Sequence, residues 1–171
     1  MNPLLQRLDA SDRAMFARLR LSPTSRGRTR AFWLLVTHLG GARASIGVTV
    51  AALLHPSVQF MQVWNTLLLL GSSHLVVQLV KRTVGRPRPT ANLDFESLID
   101  VPDRFSFPSG HSCAAMAVAI GFAVVFPAFA LPLLVLSMLV GISRVMLGVH
   151  YPGDVVVGQA IALLTAYPLL S

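Results

Sequence analysis

The chain has 171 residues, 54% of them hydrophobic and only 12% charged, with a formal net charge of +7. So little charge excludes an ordinary water-soluble globular protein, in which roughly 25% of residues are charged, and points to a single membrane domain. The single cysteine, Cys113, excludes an intramolecular disulfide framework, and no Cys/His cluster has zinc spacing.

Residues 1–30 differ in kind from the rest. Leu4, Leu5, Leu8, Met15, Phe16 and Leu19 can share one face of a helix while Arg7, Arg13, Arg18 and Arg20 take the other, the pattern of an amphipathic helix lying in the headgroup layer. The apolar face is incomplete around Asp9 to Asp12, so a solvated cationic tail is the competing reading. No apolar core of signal-peptide length follows the first arginines. The expected division is a basic interfacial segment, 1–30, followed by a membrane-embedded domain, 31–171.

Three stretches lack Lys, Arg, Asp and Glu: Ala44 to Val80, Phe105 to Ser143, and Val155 to Ser171. At about 1.5 Å of rise per residue, the first two are each too long for one crossing. His55-Pro56-Ser57 and Phe126-Pro127 supply the breaks, because proline removes a backbone donor and clashes with the preceding turn. The expected fold is an all-α bundle of about five transmembrane helices: Ala31 to Leu54, Val58 to Val80, Ser109 to Val125, Phe129 to Leu147, and Pro152 to Leu169. Gly40-Gly41 and Arg43 predict a bend or an interfacial entry within the first.

Polar residues gather in three places. In "KRTVGRPRP", residues 81–89, Pro87 and Pro89 hold the chain extended around Arg88, and a cationic knot of this kind is either a membrane anchor or a phosphate clamp. "PSGH", residues 108–111, places Ser109 as the cap of a helix whose free N–H groups favour an anion. In "SRVMLGVHYPGD", residues 143–154, Arg144, His150 and Asp154 flank a turn between two spans, an expensive placement unless the residues are used. Five spans bring all three clusters to one membrane face. Cations, a helix N-terminus, two histidines and a carboxylate are the inventory of covalent phosphoryl transfer. His38, His55 and His74 lack such company and are expected to be structural.

The order Lys81-(six residues)-Arg88-Pro89, Pro108-Ser109-Gly110-His111, and Ser143-Arg144-(five residues)-His150-(three residues)-Asp154 resembles the three-part signature of the type 2 phosphatidic acid phosphatase superfamily. That group includes bacterial lipid phosphate and polyprenyl diphosphate phosphatases, with glucose-6-phosphatase and vanadium haloperoxidases as distant relatives. The resemblance implies that Lys81, Arg88, Arg144, Ser109 and the Gly110 backbone bind the phosphate. His150 would be the nucleophile, Asp154 would fix its tautomer, and His111 would be the general acid. Spacing alone does not decide which histidine attacks, although the carboxylate near His150 favours the same assignment.

No cofactor is implied. Asp94, Glu96, Asp100 and Asp103 have no matching ligand set, and the family works without metal. The implied partners are the bilayer and a lipid phosphate, with no nucleic acid. Undecaprenyl diphosphate or a similar polyprenyl phosphate ranks first, ahead of phosphatidic acid and phosphatidylglycerophosphate. The alternatives are a haloperoxidase, which the composition disfavours, and a catalytically silent lipid-binding protein, which should lack a signature residue. A multi-pass protein of a bacterial inner membrane is expected. The N-terminal arginines place the clusters on the cytoplasmic side by the positive-inside rule, whereas similar phosphatases usually work on the outer face.

Overall fold

The computed structural model describes residues 3–22, 24–25, 27–92, 97–99 and 103–170. Arg26, Asp94, Glu96 and Asp100 lie outside the described residues, as do the side chains of Leu4, Leu5, Arg7 and Leu8. Among the described residues the fold is all helical: α1 (Pro3–Leu19), α2 (Gly27–His38), α3 (Ala42–Ala51), α4 (Phe60–Val84), a short α5 (Pro89–Asn92), α6 (Gly110–Val125), α7 (Ala130–Met146) and α8 (Pro152–Leu170).

Among the described residues two segments, Phe60–Val84 and Pro127–Met146, are long and apolar enough to cross a membrane, and α2 with the helical stretch from Ala42 to Leu54 forms a third if the bent pair is one span. That pair bends by 61° at Gly40-Gly41, where the sequence predicts a break. A Cβ on Gly40 would lie 2.5 Å from Val140 Cγ1 and 2.8 Å from the His111 carbonyl oxygen, so glycine is what lets the bend rest on α6 and α7.

Helix α4 runs further than the expected Val58 to Val80. Gln59 opens it with a capping box, and Gly85, at φ 61°, closes it by donating its N–H to the Lys81 carbonyl at 3.0 Å. The charge at Lys81 ends the apolar run but not the helix, because a cation in the last turn complements the helix dipole. Helix α6 starts where expected, with Ser109 as its cap, and ends at Phe126-Pro127.

Helix α6 is the hub. Cys113, Met116 and Ala117 bury against Leu69, Leu70 and Val77 of α4 and against Ile161, Ala162 and Ala166 of α8. Small residues let these helices approach closely. Leu54, Leu75, Leu79, Leu131 and Leu164 face outward, an apolar exterior that suits lipid as the solvent. Helix α1 attaches to the bundle through Phe16 and Asp12. Phe16 is fully buried, 5.4 Å from the Tyr151 ring centroid, and Asp12 is buried beside it, while Met15 and Leu19 stay exposed. Asp9 and Asp12, which interrupt the apolar face, belong to the side by which α1 attaches.

Candidate active site

The last turn of α4 carries Lys81, buried among the helices that surround it. Its ammonium donates to both oxygens of Asp103, at 3.2 and 3.0 Å, and to the Phe105 carbonyl at 3.0 Å. After Gly85 the extended Arg86-Pro87-Arg88 segment pairs with the loop ahead of α6. Pro87 bridges to Phe105, and Ser106 N–H donates to the Arg86 carbonyl at 2.8 Å. This pairing holds Arg88 against the turn between α7 and α8. Its Nη2 donates to Asp103 Oδ1 at 2.6 Å, its Nε to the Asp103 carbonyl at 2.8 Å, and its Nη1 to the Val149 carbonyl at 2.8 Å.

That turn is wound tightly. Val149 and His150 both donate their N–H groups to the Arg144 carbonyl, at 3.1 and 3.3 Å, and Gly148 takes φ 83° to allow it. His150 Nε2 lies 3.4 Å from Arg88 Nη1, and its Nδ1 lies 3.4 Å from Asp154 Oδ2, longer than a formed hydrogen bond. Asp154, wholly buried in the first turn of α8, accepts the Tyr151 N–H at 2.9 Å on that same oxygen. Its backbone carbonyl accepts the Ser109 N–H at 2.9 Å. Gly158 makes this junction possible, since a Cβ there would stand 2.4 Å from the Ser109 carbonyl oxygen.

Ser109 is buried at the head of α6, accepting the Ser112 hydroxyl at 2.9 Å. His111, partly buried on the same turn, stands under the α2–α3 bend: a Cβ on Gly41 would be 3.8 Å from its Nε2. It shares the electrostatic field of Arg144, His150, Arg88 and Lys81. Arg144 Nη1 donates to Thr37 Oγ1 at 2.8 Å, while its buried Nε has no partner among the described residues. An unpaired buried guanidinium donor is costly unless something arrives to accept from it.

The charges fit an anion. Burial pushes His150 down to about 4, with Arg144 and Arg88 adding to the effect and Asp154 opposing it, so the imidazole is neutral at pH 7 with a lone pair to offer. Burial works to raise Asp103, but Lys81 and Arg88 outweigh it and hold the carboxyl below its usual range. Asp103 thus sits on the two cations where a phosphate would need them.

Lys81, Arg88, Ser109, Gly110, His111, Arg144, His150 and Asp154 therefore converge at one end of the bundle. Four further residues belong to no motif: Arg86 lies in a basic run, Asp103 in a loop of carboxylates with no matching ligand set, Asp12 at the break in the α1 apolar face and Thr37 in an apolar helix, and their partners lie elsewhere in the sequence.

A family profile described as the PAP2 superfamily matches residues 62–171. Lipid A 1-phosphatase of Rhizobium johnstonii is 39% identical over 103 residues, 55% of this chain and 42% of that protein, so the chain spans under half the length of this relative. Phosphatidylglycerophosphatase B of Bacillus subtilis is 34% identical over 151 residues, 75% of this chain and 68% of that one. The crystal structure of a transmembrane PAP2 type phosphatidylglycerolphosphate phosphatase from Bacillus subtilis matches with a TM-score of 0.78 at 26% identity, covering 95% of this chain and 84% of that one.

Proposed function

The chain belongs to the PAP2 superfamily, and from that membership we propose that it is a metal-independent lipid phosphatase acting through a phosphohistidine. The observation that carries this reading is the orientation of His150: its Nε2 faces Arg88 and its Nδ1 faces Asp154. A guanidinium can only donate, so Nε2 is the lone-pair nitrogen and Nδ1 carries the hydrogen.

In this reading the phosphoryl group displaces Asp103 and lies between Lys81, Arg88 and Arg144, with the N–H groups at the head of α6 completing the cradle. Arg144 Nε gains its missing acceptor. His150 Nε2 attacks phosphorus, the bond from that phosphorus to its leaving oxygen breaks, and His111 donates a proton to that oxygen, which departs on the lipid alcohol of a monoester or on the lipid monophosphate of a diphosphate. Asp154 holds the imidazolium as charge develops. Water then attacks the phosphohistidine, giving its proton to His111 and releasing phosphate and free His150.

We place α2–α3, α4, α6, α7 and α8 as five spans, with α1 in the headgroup layer of a bacterial inner membrane. The site then lies on the side that carries Arg18, Arg20, Arg28 and Arg30, which the positive-inside rule assigns to the cytoplasm. A single cysteine at exposed Ala91, in a Cys113→Ser background, tests this: a membrane-impermeant thiol reagent on intact cells should leave it unlabelled, and labelling would reverse the orientation.

With no soluble insert between the motifs to grip a large headgroup, undecaprenyl diphosphate or another polyprenyl phosphate is ranked first. Purified protein in detergent should release phosphate from it faster than from phosphatidic acid or phosphatidylglycerophosphate. Release from none of the three, with the protein folded, would overturn the reading and favour a silent lipid-binding protein.

A further inference from the structure

Arg86 stands two residues before the proposed phosphate-binding Arg88, yet it points the other way. Its Nη1 donates at 2.7 Å both to Asp154 Oδ1 and to Asp12 Oδ2, its Nη2 donates at 2.7 Å to Asp9 Oδ1, and its guanidinium lies 4.0 Å from the Tyr151 ring centroid. Asp12 Oδ1 accepts the Gly153 N–H at 2.7 Å, and Arg13 pairs with Asp9 at 2.7 Å. Helix α1 is thus fastened to the start of α8 both through Arg86 and directly at the Gly153 N–H, and the arginine holds the carboxylate behind His150.

The two Asp154 oxygens are divided between tasks. Oδ1 takes Arg86, while Oδ2 takes the Tyr151 N–H and faces His150 Nδ1. A carboxylate pinned at one oxygen presents the other in a fixed direction and stays ionised although fully buried. Without the pin, Asp154 is free to rotate or take up a proton, and either change frees His150 to adopt the other tautomer. Arg86 is itself a largely buried cation, its side chain 17% exposed, and Asp9 and Asp12 supply acceptors that hold it where it is.

We propose that Arg86 is a positioning residue for the Asp154–His150 pair, and that α1 belongs to the catalytic apparatus because Asp9 and Asp12 hold Arg86 in place. The proposal rests on the phosphatase reading for its kinetic consequence but not for its structural one. Arg86 acts on the imidazole through Asp154 and does not touch the phosphate. Its loss therefore falls on kcat more than on KM, and the loss is not additive with that of Asp154.

The test has two arms. Histidine-selective ¹⁵N NMR of the detergent-solubilised protein reads the His150 tautomer without any substrate. The wild type should show the Nδ1–H form, and Arg86→Gln and Asp12→Asn should each populate the Nε2–H form, Asp12→Asn to a lesser degree. Retention of the Nδ1–H form in both folded variants would overturn the proposal even if the protein is a phosphatase. In the kinetic arm, Arg86→Gln should lower kcat at least about tenfold with KM within about twofold, and should cost little more in an Asp154→Asn background. Losses that multiply would show that Arg86 acts elsewhere and would refute its positioning role. If Arg86→Gln does not fold, Asp12→Asn carries both arms with the same outcomes. A wild type that turns over no lipid phosphate, yet shows the tautomer shift, would remove the proposed function and keep the structural claim.

Discussion

Nη1 of Arg88 lies 3.4 Å from Nε2 of His150 and donates at 2.8 Å to the carbonyl of the preceding residue, Val149. One planar guanidinium thus positions the imidazole and stands beside the nitrogen proposed to attack. Lysine keeps the charge but cannot span these acceptors. Arg88→Lys should leave a folded protein whose kcat/KM falls by about 10²–10³, the usual cost of losing one preorganised donor at a site of developing charge. Steady-state kinetics on the detergent-solubilised protein would check this, and a loss below about threefold would contradict it.

Asp103 neutralises both Lys81 and Arg88, and in the proposed mechanism it yields to the incoming phosphate. Its side chain is 43% exposed, so its hold on them is that of a screened surface pair. Such pairs are worth about 0.2–1 kcal/mol; vanadate, which can take the shape of the transferring phosphoryl group, should inhibit the protein, and Asp103→Asn should tighten that inhibition by up to about fivefold. Weaker inhibition would mean that Asp103 positions the cations instead of competing for them.

The pH profile follows from His150. Its imidazole is pushed down to about 4 by burial, so the reactive neutral form persists well below the ordinary value of about 6.5. After correction for the substrate's own titration, the acid limb of kcat/KM in the free enzyme should lie below that ordinary value. The sign for stability is the same. Between about 6.5 and 4 the unfolded chain binds a proton that folded His150 refuses, so this residue's contribution is fully present at higher pH and is lost as pH falls. An acid limb centred above 7 would conflict with a neutral buried nucleophile.

Two glycines separate packing from chemistry. Gly158→Ala drives a Cβ to 2.4 Å from the Ser109 carbonyl oxygen, whereas Gly47 has nothing within 4 Å of the added carbon. Overpacking at such a site costs about 1–3 kcal/mol. The Gly158 variant should therefore lose thermal stability and activity together, because the same contact aligns Asp154 with the head of α6. Gly47→Ala should be close to silent in both. Equal melting temperatures for the two variants would refute the close approach.

What could be read from the residues and what could not divide along sequence distance. Charge-free stretches broken at Pro56 and Pro127, the Gly40-Gly41 bend and the Ser109 cap are local features, and local physics predicts them. Helix α4 outran its apolar stretch because its stop signal is Gly85, not Lys81. The motif residues were legible as three clusters, and the structure brings them to one end of the bundle. Arg86 was not, because its carboxylates are 77, 74 and 68 residues away, and no pattern links such pairs. Thr37, 107 residues from Arg144, was hidden for the same reason.

The central claim is that phosphate passes through Nε2 of His150. A rapid mix of the wild-type protein with ³²P-labelled lipid phosphate, quenched in alkali to preserve a phosphoramidate, should yield labelled protein within the first turnover. The label should be stable to alkali, labile to acid, located on His150 and absent from His150→Ala. Phosphate release with no protein-bound label at any time point, or a label that survives in His150→Ala, would contradict the account.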